Sequence, residues 1–307
     1  MWTEPFLLLI LAILVDQLYG EYPNRLHPVV WMGACISFGE KIFLGRGKRM
    51  EYAGGIAMAA LIPLLFWAIS FLFISYVANP WAKIILSVFL LKASFALNAL
   101  IRAAKTIENN LQNESMDLAR FELRSLCSRD ASELDREQLV EATASSLAEN
   151  LSDSVVAPLF YFCIGGVPLA LAYRVVNTMD AMIGYKNHFT HLGWAAARLD
   201  DVLNWIPARL TALVLLITGL FTGKNARAAV RITWRDHAKP ESPNGGWPMA
   251  MLAGLLGLSV RKPGLYTLGD ARRLSDLSAL RDARILTQRS GWLFLAYTVL
   301  GLGGKAF

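Results

Sequence analysis

The stretch AGGIAMAALIPLLFWAISFLFISYVA, Ala53 to Ala78, contains no charged residue. An uncharged apolar run longer than about 18 residues is enough to cross the hydrocarbon core of a bilayer as a helix, and this one reads as a membrane span. The composition agrees. Of 307 residues, 55% are hydrophobic and only 18% are charged, against roughly 25% charged in soluble domains.

Outward from this span the apolar segments are less uniform. Trp81 to Ile101 is long enough to cross, but Lys83 and Lys92 interrupt it. Lys83 can snorkel from near an end, whereas Lys92 has to face protein or water. The turn at Asn79, Pro80 and Trp81 makes a hairpin of the two spans. Before them, Phe6 to Val15 is apolar, but Glu4 stands where a signal peptide carries positive charge and no small-residue cleavage site follows. It reads as a retained helix ending near Asp16. After them come Val155 to Val176, Leu210 to Gly223, Met249 to Val260 and Ser290 to Gly304, several of them too short to be read as spans from length alone.

Charge orients the loops. Lys41, Arg46, Lys48 and Arg49 precede the clearest span, and Arg102 and Lys105 follow its hairpin. By the positive-inside rule both flanks are cytoplasmic and the tip at Asn79 lies outside. Lys186, Arg198, Lys224, Arg227, Arg231 and Arg235 make the later loops basic as well. If all of these loops are cytoplasmic, Val155 to Val176 is not a simple span. Its centre, Gly165 to Pro168, divides it into halves of about ten residues, the length of a re-entrant hairpin. One ordinary helix kinked at Pro168 is the alternative.

The expected fold class is therefore all-α: a polytopic integral membrane helical protein, one membrane-embedded domain over residues 1–307, with a cytoplasmic helical insertion at about 102–154 and a re-entrant hairpin as one reading of the segment that follows. The insertion is charged and helix-prone. It reads as two helices broken near Ser128 to Asp130, with Ser132 and Asp135 as candidate N-caps. The net charge of +6 follows from basic cytoplasmic loops, and with no basic patch interleaved with aromatics nothing points to nucleic acid. Cys35, Cys127 and Cys163 are scattered and odd in number, which implies neither a disulfide framework nor a thiolate metal site.

Polar residues cluster beside these apolar segments. Ser145, Glu149 and Asp153 recur at i, i+4 and i+8, one stripe on a helix that runs into the apolar segment. Asn177 and Asp180 repeat the N-x-x-D spacing of Asn150 and Asp153 on the far side of the hairpin. If the segment folds back, the two pairs meet, and oxygen-bearing side chains of this kind suit a Mg²⁺ ion carrying phosphates. Lys186, Arg174 and Arg198 would then contact phosphate oxygens. Asp200 and Asp201, with Asn204 four residues after Asp200, add acidic groups on an amphipathic segment ending at Pro207. Ionisable residues at a membrane edge are functional candidates by default. His188 and His191 have a helical metal-ligand spacing but no third ligand. The segment GLFTGK, Gly219 to Lys224, lacks the spacing and the following Ser or Thr of a P-loop. In SPNGGWP, Ser242 to Pro248, the adjacent glycines suit close backbone approach to a ligand or a plain turn.

Five blocks, DQLYGEYPNRLHPVVWMG, ENLSDSVVAPLFYF, YRVVNTMDAMIGYKN, AARLDDVLNWIPARLTA and SPNGGWPMAMLAGLLG, occur in order through nearly the whole chain. Together they resemble adenosylcobinamide-phosphate synthase, the CbiB or CobD family of cobalamin biosynthesis. The resemblance implies ATP-dependent amide synthesis on the cytoplasmic face of the bacterial inner membrane. It joins the free carboxylate of adenosylcobyric acid to the amine of aminopropanol phosphate or a related amino alcohol phosphate, with ATP and Mg²⁺ as cofactors. Membrane lipid and other late enzymes of the pathway are the further partners it suggests. On this reading Glu149, Asn150, Asp153, Asn177 and Asp180 hold Mg-ATP. Lys186, Arg198, Arg174 and Asn244 contact the nucleotide, and Asp200 or Asp201 accepts the proton of the amine. Asp16 and His27 enter as candidate catalytic residues from the first block, with a helix-end carboxylate and a histidine in a turn beside Pro28 as the plain alternative. Trp194, Trp205 and Trp247 would lie against a corrin ring or anchor the interface. Ser145 stands where the family pattern has Glu, Ser154 where it has Gly, and SVRKPGLYT replaces a glycine-rich sequence. Two other classes fit parts of the pattern. One is a Mg²⁺-dependent prenyl-type transferase of the membrane; the other is a non-catalytic, AmpE-like membrane signalling protein.

Overall fold

The computed structural model describes residues 3–127 and 130–303. It is an all-α polytopic membrane protein. Three helical stretches among the described residues are long and apolar enough to cross a membrane: 48–76, 80–112 and 136–183. Ser128, where the sequence suggests a helix break, lies outside the described residues, as does Gly304 at the end of the last apolar segment.

The helices run in the order α1 (Thr3–Leu18), α2 (Pro28–Phe43), α3 (Lys48–Tyr76), α4 (Pro80–Ser94), α5 (Leu97–Gln112), α6 (Met116–Leu123), α7 (Arg136–Leu151), α8 (Ala157–Ile183), α9 (Trp194–Leu203), α10 (Trp205–Phe221), α11 (Ala226–Asp236) and α12 (Gly246–Leu256). A two-stranded hairpin, β1 (Ser259–Lys262) and β2 (Tyr266–Gly269), precedes α13 (Leu277–Gly303). The chain divides into two compact units. The first comprises Met1–Ala96, Ala157–Asn204 and Thr298–Phe307, and the second Leu97–Val156 and Trp205–Tyr297. The insertion expected at about 102–154 thus forms one compact unit together with the later chain.

In the first unit α3 is the span expected from Ala53 to Ala78. It turns Leu61, Leu64, Leu65, Phe71 and Phe73 outward, a face that suits hydrocarbon rather than water. Its buried side, with Met58, Ala59 and Pro63, packs on α8 and α9. The turn at Asn79 forms as expected: the side-chain Oδ1 accepts from Trp81 N at 2.9 Å and Ala82 N at 3.1 Å, capping α4, whose first residue is Pro80. The apolar run from Trp81 to Ile101 is not one helix, because Phe95 is extended (φ −130°, ψ 157°) and ends α4.

The segment around Gly165 settles the two readings of 155–176. Gly165 (φ −138°, ψ 20°) and Gly166 (φ 68°, ψ −162°) leave helical geometry inside α8. The rings of Tyr161 and Tyr173 stack with centroids 5.1 Å apart. In an unbroken helix residues this far apart in sequence would be separated by about 18 Å along the axis. The chain therefore reverses at the glycine pair, and the helical hairpin is the reading that holds. The polar stripe reaches the apolar run as expected, through a single π-turn at Ser152–Val156 that carries Asp153. Such turns insert one residue into the helical register and are frequent at functional sites.

In the second unit α12 is buried nearly all round, which marks a core helix; its 11 residues reach only about 16 Å, too short to span. Around it pack α7, α10 and α11. The insertion holds a break absent from the sequence reading, since Glu114 has a positive φ of 57° and separates α5 from α6. Asp135 caps α7 in a capping box with Gln138, whereas Ser132 donates to Asp130, its backbone N–H reaching Oδ1 at 3.0 Å. Although α7 reads as a polar helix, every residue from Leu139 to Ala148 is buried. Its Ala, Ser and Thr side chains are small, and Thr143 and Ser145 donate their hydroxyls to backbone carbonyls of their own helix, so burial leaves no polar group unmet.

The hairpin was not foreseen. It folds SVRKPGLYTLG with Arg261 opposite Thr267 and Lys262 opposite Tyr266, turning through Gly264 at φ 75°. Two buried carboxylates fasten it: Glu141 of α7 accepts from Arg261 N, Nε and Nη2, and Asp236 of α11 accepts from Gly269 N at 2.8 Å.

The reversal generates the first prediction. The φ/ψ of Gly166 lies in a region essentially closed to residues with a Cβ, where occupancy costs on the order of 1–3 kcal/mol. Gly166→Ala is expected to lower the thermal unfolding midpoint in detergent, while Ile164→Ala, at an exposed position of the same bend, shifts it far less.

Candidate functional site

In the first unit the second arm of α8 and the amphipathic α9 bring polar groups together. Tyr173, Asn177 and Asp180 are spaced i, i+4 and i+7 and share a helix face. Against that face stands Asp200, next to the Asp180 carboxylate and the Asn177 amide. Asp200 Oδ2 accepts from Asn204 Nδ2 at 2.9 Å, and Asn204 Oδ1 accepts from the buried Tyr173 hydroxyl at 2.9 Å. Asp200 Oδ1 is buried without a hydrogen-bond partner. Arg174 Nη1 donates to Asn177 Oδ1 at 3.3 Å. Four residues expected from sequence, Arg174, Asn177, Asp180 and Asp200, thus form one cluster. Gly184 lies so close to Asp180 that a Cβ there would collide with its Oδ1, so the loop after α8 fixes the carboxylate by leaving it no other space.

Other expected residues of this unit lie on α9 and in the loop before it. Asp201 is held by Arg198 at 3.1 Å in an exposed pair, the arrangement of a surface salt bridge one turn apart. Lys186 is exposed in the loop that follows α8. His188 stacks on its neighbour Phe189, and His191 lies 5.0 Å from the Tyr52 ring.

In the second unit Glu149 and Asp153 are half-buried at the end of α7 and in the π-turn. Asn150 donates its amide to Leu126 O at 2.8 Å and Ser146 O at 2.9 Å, which ties down the segment before α7. The loop SPNGGWP meets Glu149 directly: a Cβ on Gly245 would sit 2.9 Å from Glu149 Oε1, and one on Gly246 would strike the His237 carbonyl. The two glycines are accounted for by a protein carboxylate and a protein backbone. Asn244 is buried beside them. Among the described residues no three or more His, Cys, Asp or Glu side chains are grouped to hold a metal ion. The oxygen donors come as carboxylates in ones and twos with amides at their side. Hard cations accept such mixed oxygen sets, so the chemistry of these donors is compatible with one.

Asp16 and His27 belong to a third cluster. Lys92, fully buried, places Nζ 2.8 Å from Glu21 Oε1 and 3.4 Å from Asp16 Oδ1, with the Tyr22 ring 5.6 Å away. The lysine faces protein, as its position in an apolar helix requires. His27 accepts from Val29 N through Nδ1, capping α2, and its Nε2 lies 2.8 Å from Glu21 Oε2.

With this geometry in hand the comparisons are informative. The model of the CobD/CbiB proteins matches residues 9–288. The chain belongs to the CobD/CbiB family. It is 41% identical over 96% of its length, and 97% of the relative's, to the cobalamin biosynthesis protein CobD of Dehalococcoides mccartyi. It is 40% identical over 93% of its length, and 94% of the relative's, to the probable cobalamin biosynthesis protein CobD of Methanothermobacter thermautotrophicus. With the CobD of Photorhabdus laumondii it shares 36% over 96% of its length and 98% of that protein's. No solved structure matches. This CobD/CbiB chain is thus a cobalamin biosynthesis membrane protein.

Tyr173 and Glu141 went unread in the sequence. The first was legible as the i−4 neighbour of Asn177, and the second as the continuation, by one turn, of the Ser145–Glu149–Asp153 stripe. Glu21 of the first block supplies a pH test. Burial acts to raise its pKa, but the hydrogen bond from His27 and the charge of Lys92 prevail and hold it at about 2, below its ordinary 4.5. A depressed carboxylate stabilises the fold above its unfolded value, and that stability is lost as the pH falls from about 4.5 toward about 2. The unfolding midpoint of the CobD/CbiB chain in nanodiscs should drop across that window, and Glu21→Gln should flatten the drop.

Proposed function

We propose that this chain performs ATP-dependent amide synthesis, joining the carboxylate of adenosylcobyric acid to the amine of aminopropanol phosphate or a related amino alcohol phosphate at the cytoplasmic face of the membrane. The observation that carries the reading is the Asp180–Asp200 pair with its unsatisfied buried oxygen, flanked by Asn177 and Arg174, in a cobalamin biosynthesis family.

A carboxylate is a poor acyl donor, because oxide would have to leave. The γ-phosphoryl group of ATP passes to the carboxylate oxygen, giving an acyl phosphate and ADP. The amine then attacks the acyl carbon, inorganic phosphate departs, and the amine loses a proton. Mg²⁺, when bound, neutralises the phosphate charge that builds in both steps. In this reading Asp180 and Asn177 on α8 would supply oxygen ligands, and in the second unit Glu149, Asn150 and Asp153 on α7 and its π-turn carry oxygen donors of the same kind. Arg174, Lys186, Arg198 and Asn244 donate to phosphate oxygens, the guanidinium of Arg174 by a fork suited to them. Asp200 is the better proton acceptor of the two adjacent aspartates, since Asp201 is engaged by Arg198 while Asp200 Oδ1 has no hydrogen-bond donor. The Tyr173–Asn204 chain holds Asp200 in place through its other oxygen.

The test uses the protein purified in nanodiscs with Mg-ATP, adenosylcobyric acid and aminopropanol phosphate, the amide and ADP being read by mass spectrometry. Product with stoichiometric ADP is expected. Asp180→Ala and Asp153→Ala should each lower its rate by about 100-fold or more, the scale on which a group stabilising developing charge is felt. Near-normal amide formation in both variants would remove the metal assignment. Corrinoid-independent release of diphosphate would replace the ligase with a transferase.

A further inference from the structure

Arg209, one turn into α10, belongs to none of the clusters described above. Its guanidinium carbon lies 4.2 Å from the centroid of the Trp205 ring and 4.8 Å from that of Trp247. Nη1 donates to Trp205 O at 2.7 Å and reaches Asn244 Oδ1 at 3.5 Å. Trp247 is packed in turn against His237, with ring centroids 4.2 Å apart. Aromatic faces on either side fix the plane of the fork and favour its charge. They do not provide a counter-ion. Among the described residues no carboxylate pairs with Arg209, and its Nε and Nη2 have no protein acceptor. The indole Nε1 of Trp247 is also buried without a partner.

Several other basic residues of this unit are paired with carboxylates. Arg261 has Glu141, Arg273 has Asp282, Arg235 has Asp236 and Asp270, and Arg281 and Arg284 share Glu108. A partly desolvated guanidinium held rigid without an anion carries a cost that a bound anion removes. The unspent Nε–Nη2 edge of a planar fork matches two oxygens of a phosphate, which it can take in a bidentate manner.

We infer that Arg209, clamped between Trp205 and Trp247 and bordered by Asn244, is the binding residue for a phosphate group. The phosphate is carried either by a soluble small molecule or by a lipid headgroup, since α10 begins at an apolar segment where an interfacial arginine meets both. Trp205 O and Asn244 Oδ1 take the N–H groups of Nη1, which leaves those of Nε and Nη2 for the ligand. Because Asn244 precedes Gly245, whose Cα side faces Glu149, a phosphate here lies on the loop that packs against a residue proposed to hold the metal ion. The inference itself needs no reaction.

The test separates the two sources by binding alone. Wild type and Arg209→Gln are placed in nanodiscs of phosphatidylcholine and titrated with ATP and with inorganic pyrophosphate, following tryptophan fluorescence. Their retention of added phosphatidylglycerol is counted by native mass spectrometry. Loss of one charge-assisted fork should weaken the relevant ligand about 10-fold or more, and Arg209→Lys, with the charge but not the fork, should recover only part. A drop for ATP or pyrophosphate at unchanged lipid count assigns the site to a soluble phosphate. A drop in bound phosphatidylglycerol alone assigns it to a headgroup. Should Arg209→Gln fail to fold, Asn244→Asp keeps the guanidinium and gives it a carboxylate partner, so the same loss is expected. Unchanged affinity and unchanged lipid count in the folded variants, or no binding of either kind by wild type, would overturn the inference and leave Arg209 a stacking residue. Failure of amide synthesis in the wild type would sink the ligase reading without touching this result.

Discussion

The reversal of the chain at Gly165 and Gly166 is the constraint on which the first unit depends. A straight α8 would carry Tyr173, Asn177 and Asp180 away from Tyr161; the bend instead stacks Tyr161 on Tyr173. Both tyrosines then reach the end of α9, Tyr161 donating to Leu203 O and Tyr173 to Asn204. A residue with a Cβ resists the backbone angles of Gly166, so the site is purchased with a glycine whose side chain does nothing.

Apolar surroundings explain why the polar groups occur in closed sets. Where water is absent an unmet donor or acceptor costs several kcal/mol, and each buried charge here has partners. Lys92 has Asp16 and Glu21, Glu141 has Arg261 and Ser275, and Asp236 has Arg235, Lys239 and Gly269 N. Against that background the unmet atoms stand out, chiefly Asp200 Oδ1 and Trp247 Nε1. Polar atoms left unsatisfied in an otherwise paired interior mark places where a ligand completes the structure.

The first block of the family shows how a motif can be read in two ways. Asp16 and His27 resemble catalytic residues when seen as conserved-looking letters in a row. Their surroundings give them work in the fold: Asp16 neutralises a lysine inside an apolar helix, and His27 caps α2 while binding Glu21. Both have roles in the fold of the first unit that need no substrate. The assignment of catalytic chemistry therefore rests on the later blocks.

How far the sequence could be read depended on the range of the interaction. The uncharged run of α3, the Asn79 cap, the Asp135 capping box and the helical character of nearly every segment follow from residues within a turn or two of each other, so the all-α membrane class and most helix starts were legible. So was the face shared by Asn177 and Asp180. The break at Phe95, the burial of α7, and the β-hairpin held by Glu141 and Asp236 were not, because each is decided by partners distant in the chain. The choice between a kinked helix and a hairpin at Gly165 was of the same kind: the glycines permitted both. By itself the sequence determined the solvent this protein lives in and the family it belongs to, since hydrophobicity and local motifs add up along the chain. Only the tertiary structure decided which of its many polar residues are neutralised by one another and which are left to meet a ligand, because that depends on what packing brings within about 3 Å.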